Sequence, residues 1–179
     1  MATVLPDWFH PGPREGWTAD MLDHLLPDAP KHVDLIDGSL FTRSPQTNFH
    51  AYVVNLLIDR ASGIRPPHHL AVAREMTVAL GERQRPEADV MAVSRTAASQ
   101  PHRTSYSPDE VHLIVEVVSK ASEELDRTTK PSKYADAGIR FFWRIEEEDG
   151  AAVAYTFELE PAVKAYVPTG IHLDYTKLI

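Results

Sequence analysis

No cysteine occurs in the 179 residues of this chain, so disulfides, thiolate zinc sites and cysteine nucleophiles are excluded at once. Any metal has to sit on oxygen or histidine. No segment approaches the roughly 18 consecutive apolar residues of a membrane-spanning helix, and Met1 to Pro13 lacks the basic start and apolar centre of a signal peptide. A cytoplasmic protein without a membrane partner is expected. Basic residues are in deficit, with 18 Lys and Arg against 26 Asp and Glu for a formal charge of -8, which argues against a surface that attracts nucleic acid everywhere. A local basic groove stays open. Internal repeats and low-complexity tracts are also absent, and the length suits one domain with a real core.

What is present centres on one glutamate. The run Val111-His112-Leu113-Ile114-Val115-Glu116-Val117-Val118 places Glu116 where a hydrocarbon side chain is expected, and a buried carboxylate is costly unless paired or metal-bound. Strand alternation puts Glu116 on one face with His112, Ile114 and Val118, and Val111, Leu113, Val115 and Val117 on the other. Both faces read as covered, which marks a central strand. Upstream, Pro86-Glu87-Ala88-Asp89-Val90-Met91-Ala92-Val93 carries Asp89 at the opening of a second apolar run. If the two strands are neighbours, Asp89 and Glu116 meet at one end of a sheet and invite a divalent cation, because magnesium needs hard oxygen ligands and keeps several of its waters. Lys130 falls on or near the following helix, within reach of the same place.

The remaining pattern fixes the expected order of elements. Residues 1–17 read as an irregular arm and 18–179 as a single domain. Thr18 is expected to cap a short helix to about Leu26. Val33 to Ile36 and Leu40 to Thr42 flank Asp37-Gly38 and Ser39 as a hairpin. A helix capped by Thr47 or Asn48 presents Phe49, Val53, Leu56 and Leu57, carries His50 in its first turn and ends at Gly63. Leu70 to Leu80 alternates as a strand, and Ala97 to Asp109 reads as a mobile loop that could carry specificity. Leu125 to Ala137 reads as a helix closed by Gly138, either kinked by Pro131 or starting near Lys130. Strands follow at Phe141 to Ile145, Ala151 to Leu159 and Lys164 to Val167. The order implies an α/β or α+β sheet with flanking helices and antiparallel strands at the end.

Several segments together carry a resemblance: Asp34-Leu35-Ile36-Asp37-Gly38, Ser44-Pro45 leading to His50, Arg85-Pro86-Glu87-Ala88-Asp89-Val90, Val115-Glu116-Val117-Val118-Ser119, Asp126 to Lys130 with Tyr134, and Ala137-Gly138-Ile139 before Phe142-Trp143. In this order the chain resembles the PD-(D/E)XK superfamily and, within it, an abundant bacterial restriction-endonuclease family. The resemblance implies an α/β, restriction-endonuclease-like mixed central sheet flanked by helices. It implies Asp89 and Glu116 as metal-binding acids, the Val117 carbonyl as a third metal contact, and Lys130 as a migrated catalytic lysine, since Val118 stands where the general motif has lysine. His50 and Asp126 match supporting positions. Ala88 replaces a proline before the aspartate, and Ser39 stands where many relatives have glutamate, so that either Asp37 substitutes or no acid does. Magnesium, with manganese able to replace it, DNA as substrate and a homodimer complete the expectation.

Each residue also has a plainer reading. Glu116 could form a buried salt bridge with Lys130 or Arg140, Asp89 could cap a turn, Lys130 could be a solvated helix residue, and His50 could be structural. His68-His69 has no third ligand at a convincing interval for zinc. Tyr134, Phe141 and Trp143 read as core, and Glu146 to Asp149 as a solvated turn. The rival functions are a nucleic-acid-binding or regulatory protein that keeps the nuclease fold without efficient catalysis, and a metal-dependent hydrolase of a smaller phosphate ester.

Overall fold

The computed structural model describes residues 16–25, 27, 29–43, 45–59 and 66–160, together with the backbone of 169–173. An antiparallel hairpin comes first, β1 (Val33–Ile36) and β2 (Ser39–Thr42). Its turn residues Asp37 and Gly38 have φ of 50° and 78°, the two left-handed conformations that a two-residue type I′ turn demands. Helix α1 (Asn48–Ile58) opens at Thr47, whose hydroxyl accepts from the His50 amide at 3.2 Å. Thr47 is therefore the cap. The expected stop at Gly63 and the arm before Gly16 lie outside the described residues.

The main sheet follows: β3 (Leu70–Val78), β4 (Glu87–Ser94), a short helix α2 (Arg95–Ala98), β5 (Ser105–Tyr106), β6 (Val111–Val117), helix α3 (Lys130–Asp136), β7 (Phe141–Glu148), β8 (Ala151–Glu158) and β9 (Thr169–Leu173). The strand order is β5-β3-β4-β6-β7-β8-β9, with β3–β5 and β6–β7 parallel and the other pairs antiparallel. Both faces are covered. Phe49, Val53, Val54 and Leu57 of α1 pack on Val90, Val115, Val117 and Ile145, while Tyr134 and Ala135 of α3 pack with Met91, Ile114 and Phe142 on the other side. The result is a mixed central sheet flanked by helices, with an N-terminal hairpin and antiparallel C-terminal strands.

Strand β6 lies between β4 and β7, and Ile114 faces one cluster while Val115 and Val117 face the other, as a two-residue period requires. Val111 departs from that period. It joins the cluster of Ile114 because the register against β4 shifts between Ala92 and Val93.

Several segments correct the sequence expectation. Thr18 does not cap a helix; a single 3-10 turn, Asp20–His24, follows Ala19 without a side-chain cap. Residues 97–109 are not a bare loop: Tyr106 is buried as part of β5, and Ser107 with Glu110 forms a capping box over the turn Pro108–Glu110. Leu125–Thr129 is one π-helical turn that hands over to α3 at Lys130. Pro131 lacks an N–H and its ring needs room, so the chain widens into that turn and α3 starts at Lys130, the second of the two expected readings. Phe141 is 44% exposed, outside the core. Glu146 is buried and bound by Arg127 and Arg144, so it is no part of a solvated turn. The strand expected at Lys164 to Val167 lies outside the described residues, whose last strand is β9.

Candidate active site

Register brings the two acids together. Val90 stands opposite Val115 in the β4–β6 ladder, so the next position along each strand sets Asp89 against Glu116. The Val117 amide ties the strands further by donating to Asp89 Oδ2 at 2.7 Å. Each acid is 1% exposed.

Lys130 arrives from the far side of the crossover. Its Nζ lies 3.2 Å from Glu116 Oε1, 3.2 Å from Asp34 Oδ1 and 3.3 Å from Asp126 Oδ1, and donates to the Glu87 carbonyl at 3.1 Å. Arg140 pairs with Glu158 instead. Tyr134, one turn after Lys130, donates its hydroxyl to Glu116 Oε1 at 2.7 Å. His50 projects from α1 so that Nε2 lies 3.1 Å from Asp89 Oδ2, with Nδ1 buried and unpartnered.

The hairpin supplies what the sequence reading missed. Asp34 accepts from the Glu87 amide at 2.7 Å and so docks β1 against the start of β4. Arg43, just past β2, donates from Nη1 to Asp89 Oδ1 at 2.5 Å and from Nη2 to the Glu87 carbonyl. Its Nε lies 3.5 Å from Asp34 Oδ2, and its Nη2 lies 3.9 Å from Glu116 Oε2. Glu116 Oε2 itself has no hydrogen-bond partner.

Five buried carboxylates, of Asp34, Glu87, Asp89, Glu116 and Asp126, thus surround the two cations Arg43 and Lys130. The excess of negative charge divides them. Burial pushes Asp89 up, but the His50 hydrogen bond and the Arg43 charge outweigh it and hold that carboxyl well below its ordinary range. Glu116 goes the other way: burial raises it well above the ordinary range, Lys130 opposes, and Asp126 and Asp89 add to the rise. Burial likewise raises Glu87 and Asp126. Burial alone would lower Lys130, yet Glu116, Asp34 and Asp126 together keep its ammonium above its usual value.

A cleft with ≈ 70 Å³ of free volume, room for an ion and some of its water, opens over Asp34, Arg43, His50, Asp89, Asp126 and Lys130, while Glu116 is not among the residues that line it. Phe41 and Thr42 of the hairpin line it together with Ser119 and Ser122. Residues 97–109 contribute nothing to it. Asp37 does not reach it either. Its carboxylate is held by Lys133 at 2.7 Å and its side chain is 65% exposed. Three residues beyond Asp34 along an extended strand is about 10 Å, so Asp34, not Asp37, is the hairpin acid at the centre.

A family profile described as "Putative restriction endonuclease" matches residues 19–175. The chain belongs to the Uma2 family. Among solved structures, a crystal structure titled as a putative nuclease belonging to DUF820, from Anabaena variabilis ATCC 29413, superposes with a TM-score of 0.59 at 15% identity, covering 90% of this chain and 96% of that one. That likeness shows the shared fold. A search of curated proteins gives no match. Membership in Uma2 supports a nuclease-type function for the chain.

The residues fit a hard divalent cation in one respect and obstruct it in another. Asp89 and Glu116 offer oxygen donors, and the unpartnered Glu116 Oε2 is a donor without a task. Among the described residues no three His, Asp or Glu side chains converge as a ready-made metal cluster. The guanidinium of Arg43 stands between the two acids. His69 does acquire His112 as a neighbour, with ring centroids 6.0 Å apart, but the three surface histidines do not converge on a metal position either.

In this Uma2 chain Asp34 has a signal of its own: it sits in the apolar run Val33–Ile36, which is buried throughout, and an acid in such a strand carries the same warning as Glu116. Glu87 carried it as well. Arg43 gave none, since it follows a hairpin whose second strand is largely exposed.

Proposed function

We propose that this protein is a divalent-metal-dependent endonuclease that hydrolyses DNA phosphodiester bonds. The observation that carries the reading is the buried pairing of Asp89 with Glu116 across β4 and β6, with the Lys130 ammonium 3.2 Å from Glu116 Oε1 and Glu116 Oε2 left unpartnered. Asp89 and Glu116, with the Val117 carbonyl, would hold the ion, magnesium or manganese. When bound, the ion polarises a phosphate oxygen and makes a water nucleophilic near neutral pH.

The chain's own residues do the rest. Val117 and His50 fix Asp89 Oδ2, so the carboxylate cannot rotate away and Oδ1 is the oxygen that meets Arg43. Tyr134 and Lys130 fix Glu116 Oε1 in the same manner, directing Oε2 as the free donor. Lys130 is kept protonated by its carboxylate neighbours and therefore serves as a fixed positive charge for the developing phosphate charge, not as a base. Cutting both strands of a duplex calls for two such centres, which is the ground for proposing a homodimer.

A second reading is a nuclease-fold protein that binds nucleic acid without efficient hydrolysis. The placement of Arg43 against Asp89 favours it. Incubating supercoiled and single-stranded DNA with the protein in magnesium, manganese and EDTA, beside Asp89→Asn and Glu116→Gln, separates the two. Metal-dependent cleavage lost in both variants supports the nuclease. Salt-dependent DNA binding with no cleavage under any metal leaves the second reading.

A further inference from the structure

The arginine that stands between the two acids has no counterpart in the motif that led to them. Arg43 is hydrogen-bonded through both Nη atoms, while its Nε is buried without a hydrogen-bond partner. One Nη meets Asp89 Oδ1 at 2.5 Å, the other meets the Glu87 carbonyl and looks toward Glu116 Oε2 at 3.9 Å, and Nε looks toward Asp34 Oδ2 at 3.5 Å. It satisfies the Asp89 oxygen completely and the Glu116 oxygen only at a distance, so Glu116 Oε2 is buried without a hydrogen bond. A cation of the right size could satisfy both oxygens, but a magnesium ion binds oxygen at about 2.0–2.1 Å with near-octahedral demands. Such an ion and the guanidinium cannot share the same Asp89 lone pairs, and their like charges repel strongly in a buried site.

We infer that Arg43 is the internal counter-cation of this site and sets its metal affinity by competing with the divalent ion for Asp89 Oδ1 and Glu116 Oε2, so that metal binding displaces the guanidinium. The inference rests on the proposed metal site and adds a residue that determines how readily that site fills. Three features support it. Arg43 sits on the segment just after β2, at the hairpin's end, where the next described residues before α1, Pro45 and Gln46, are exposed. The cleft beside it has free volume into which the fork can swing. And its partners at this position are the oxygens that the ion would need.

The test measures metal binding directly. Manganese binding to the wild-type chain, Arg43→Gln, Arg43→Lys and Asp89→Asn is followed by titration calorimetry, together with the Arg43 Nε–Hε resonance of the wild type during a magnesium titration. Arg43→Gln should bind manganese at least tenfold more tightly than wild type, Arg43→Lys should fall between them, and Asp89→Asn should bind none. The Arg43 resonance should shift with the same midpoint as the calorimetric signal. If wild type and Arg43→Gln bind metal equally and Asp89→Asn abolishes it, or if metal binds without moving the resonance, the competition is overturned while the metal site stands. Weaker binding by Arg43→Gln overturns it too. If no variant binds metal, the proposed metal-dependent function falls together with it. Should Arg43→Gln fail to fold, the wild-type resonance alone decides.

Discussion

Asp89 and Glu116 face one another across β4 and β6, one step past the Val90–Val115 pair, and the same cluster drives their carboxyls in opposite directions. Asp89 has a histidine and an arginine to hold its charge. Glu116 has one ammonium, one tyrosine hydroxyl and two neighbouring acids. Like charges side by side cannot both ionise without compensation.

This sets a pH dependence for the metal-free protein. Glu116, Glu87 and Asp126 all have folded-state pKa values raised chiefly by burial. A raised acid favours the native state below its unfolded pKa, about 4, and that stability is lost as pH rises through the folded value. Asp89, lowered by His50 and Arg43 against its burial, contributes stability above about pH 4, lost only as pH falls through its own lowered value. From about pH 5 upward the raised acids therefore dominate. Urea unfolding in EDTA should give a lower midpoint at pH 8 than at pH 5.5, with a flatter dependence in Glu116→Gln. A midpoint that climbs with pH in the wild type would contradict this account.

Lys130→Met removes the cation shared by Glu116, Asp34 and Asp126. Stranding buried charge in this way costs about 3–5 kcal/mol. Denaturant unfolding near neutral pH should show that loss, and double substitution with Glu116→Gln should recover part of it, since the stranded acid is gone.

Tyr134→Phe deletes one hydroxyl from a side chain that is fully buried against Phe142. The Glu116 Oε1 oxygen keeps Lys130 as a partner, so the expected cost is about 1–2 kcal/mol. The chevron or equilibrium midpoint should move by that amount while metal-dependent cleavage, if present in the wild type, survives with a reduced rate. Complete loss of cleavage with unchanged stability would assign the hydroxyl a direct part in the chemistry.

Gly38→Ala tests the hairpin. Its φ of 78° lies in the left-handed region, and an added Cβ would collide with the Arg83 guanidinium. About 1–2 kcal/mol of backbone strain follows, a few degrees in Tm for a chain of this size. Because the hairpin carries Asp34 and leads to Arg43, metal affinity should change as well, which a purely peripheral turn would leave alone.

The sheet and its two acids could be read from the chain because both rest on local signals. Strand alternation revealed Glu116 as an acid in an apolar run, and Asp37-Gly38 announced the type I′ turn that φ values of 50° and 78° display. The short interval before Lys130 let a helix return it to the same end of the sheet. What escaped depended on contacts far apart in sequence. Arg43 touches Asp89 at a separation of 46 residues, and nothing in its own neighbours marks it. Asp37 stands beside the position where relatives carry glutamate, whereas only the docking of β1 through Leu35 and Arg85 shows which face of the hairpin looks inward. Val111 and the structure of residues 97–109 turned on a register shift and a buried tyrosine, features that no periodicity encodes.

The crossover between β6 and β7 has a consequence for synthesis. Both acids and the hairpin precede residue 117, whereas the ammonium that steadies Glu116 comes from residue 130, on the helix that follows. A nascent chain that has emerged only through β6 holds Asp89 and Glu116 with their mutual repulsion unrelieved on that side, and the sheet gains its β7 neighbour and its Lys130 in the same stretch of translation. The charged cluster is thus the last part of the sheet's middle to close, and a truncated product ending before α3 is left without its lysine.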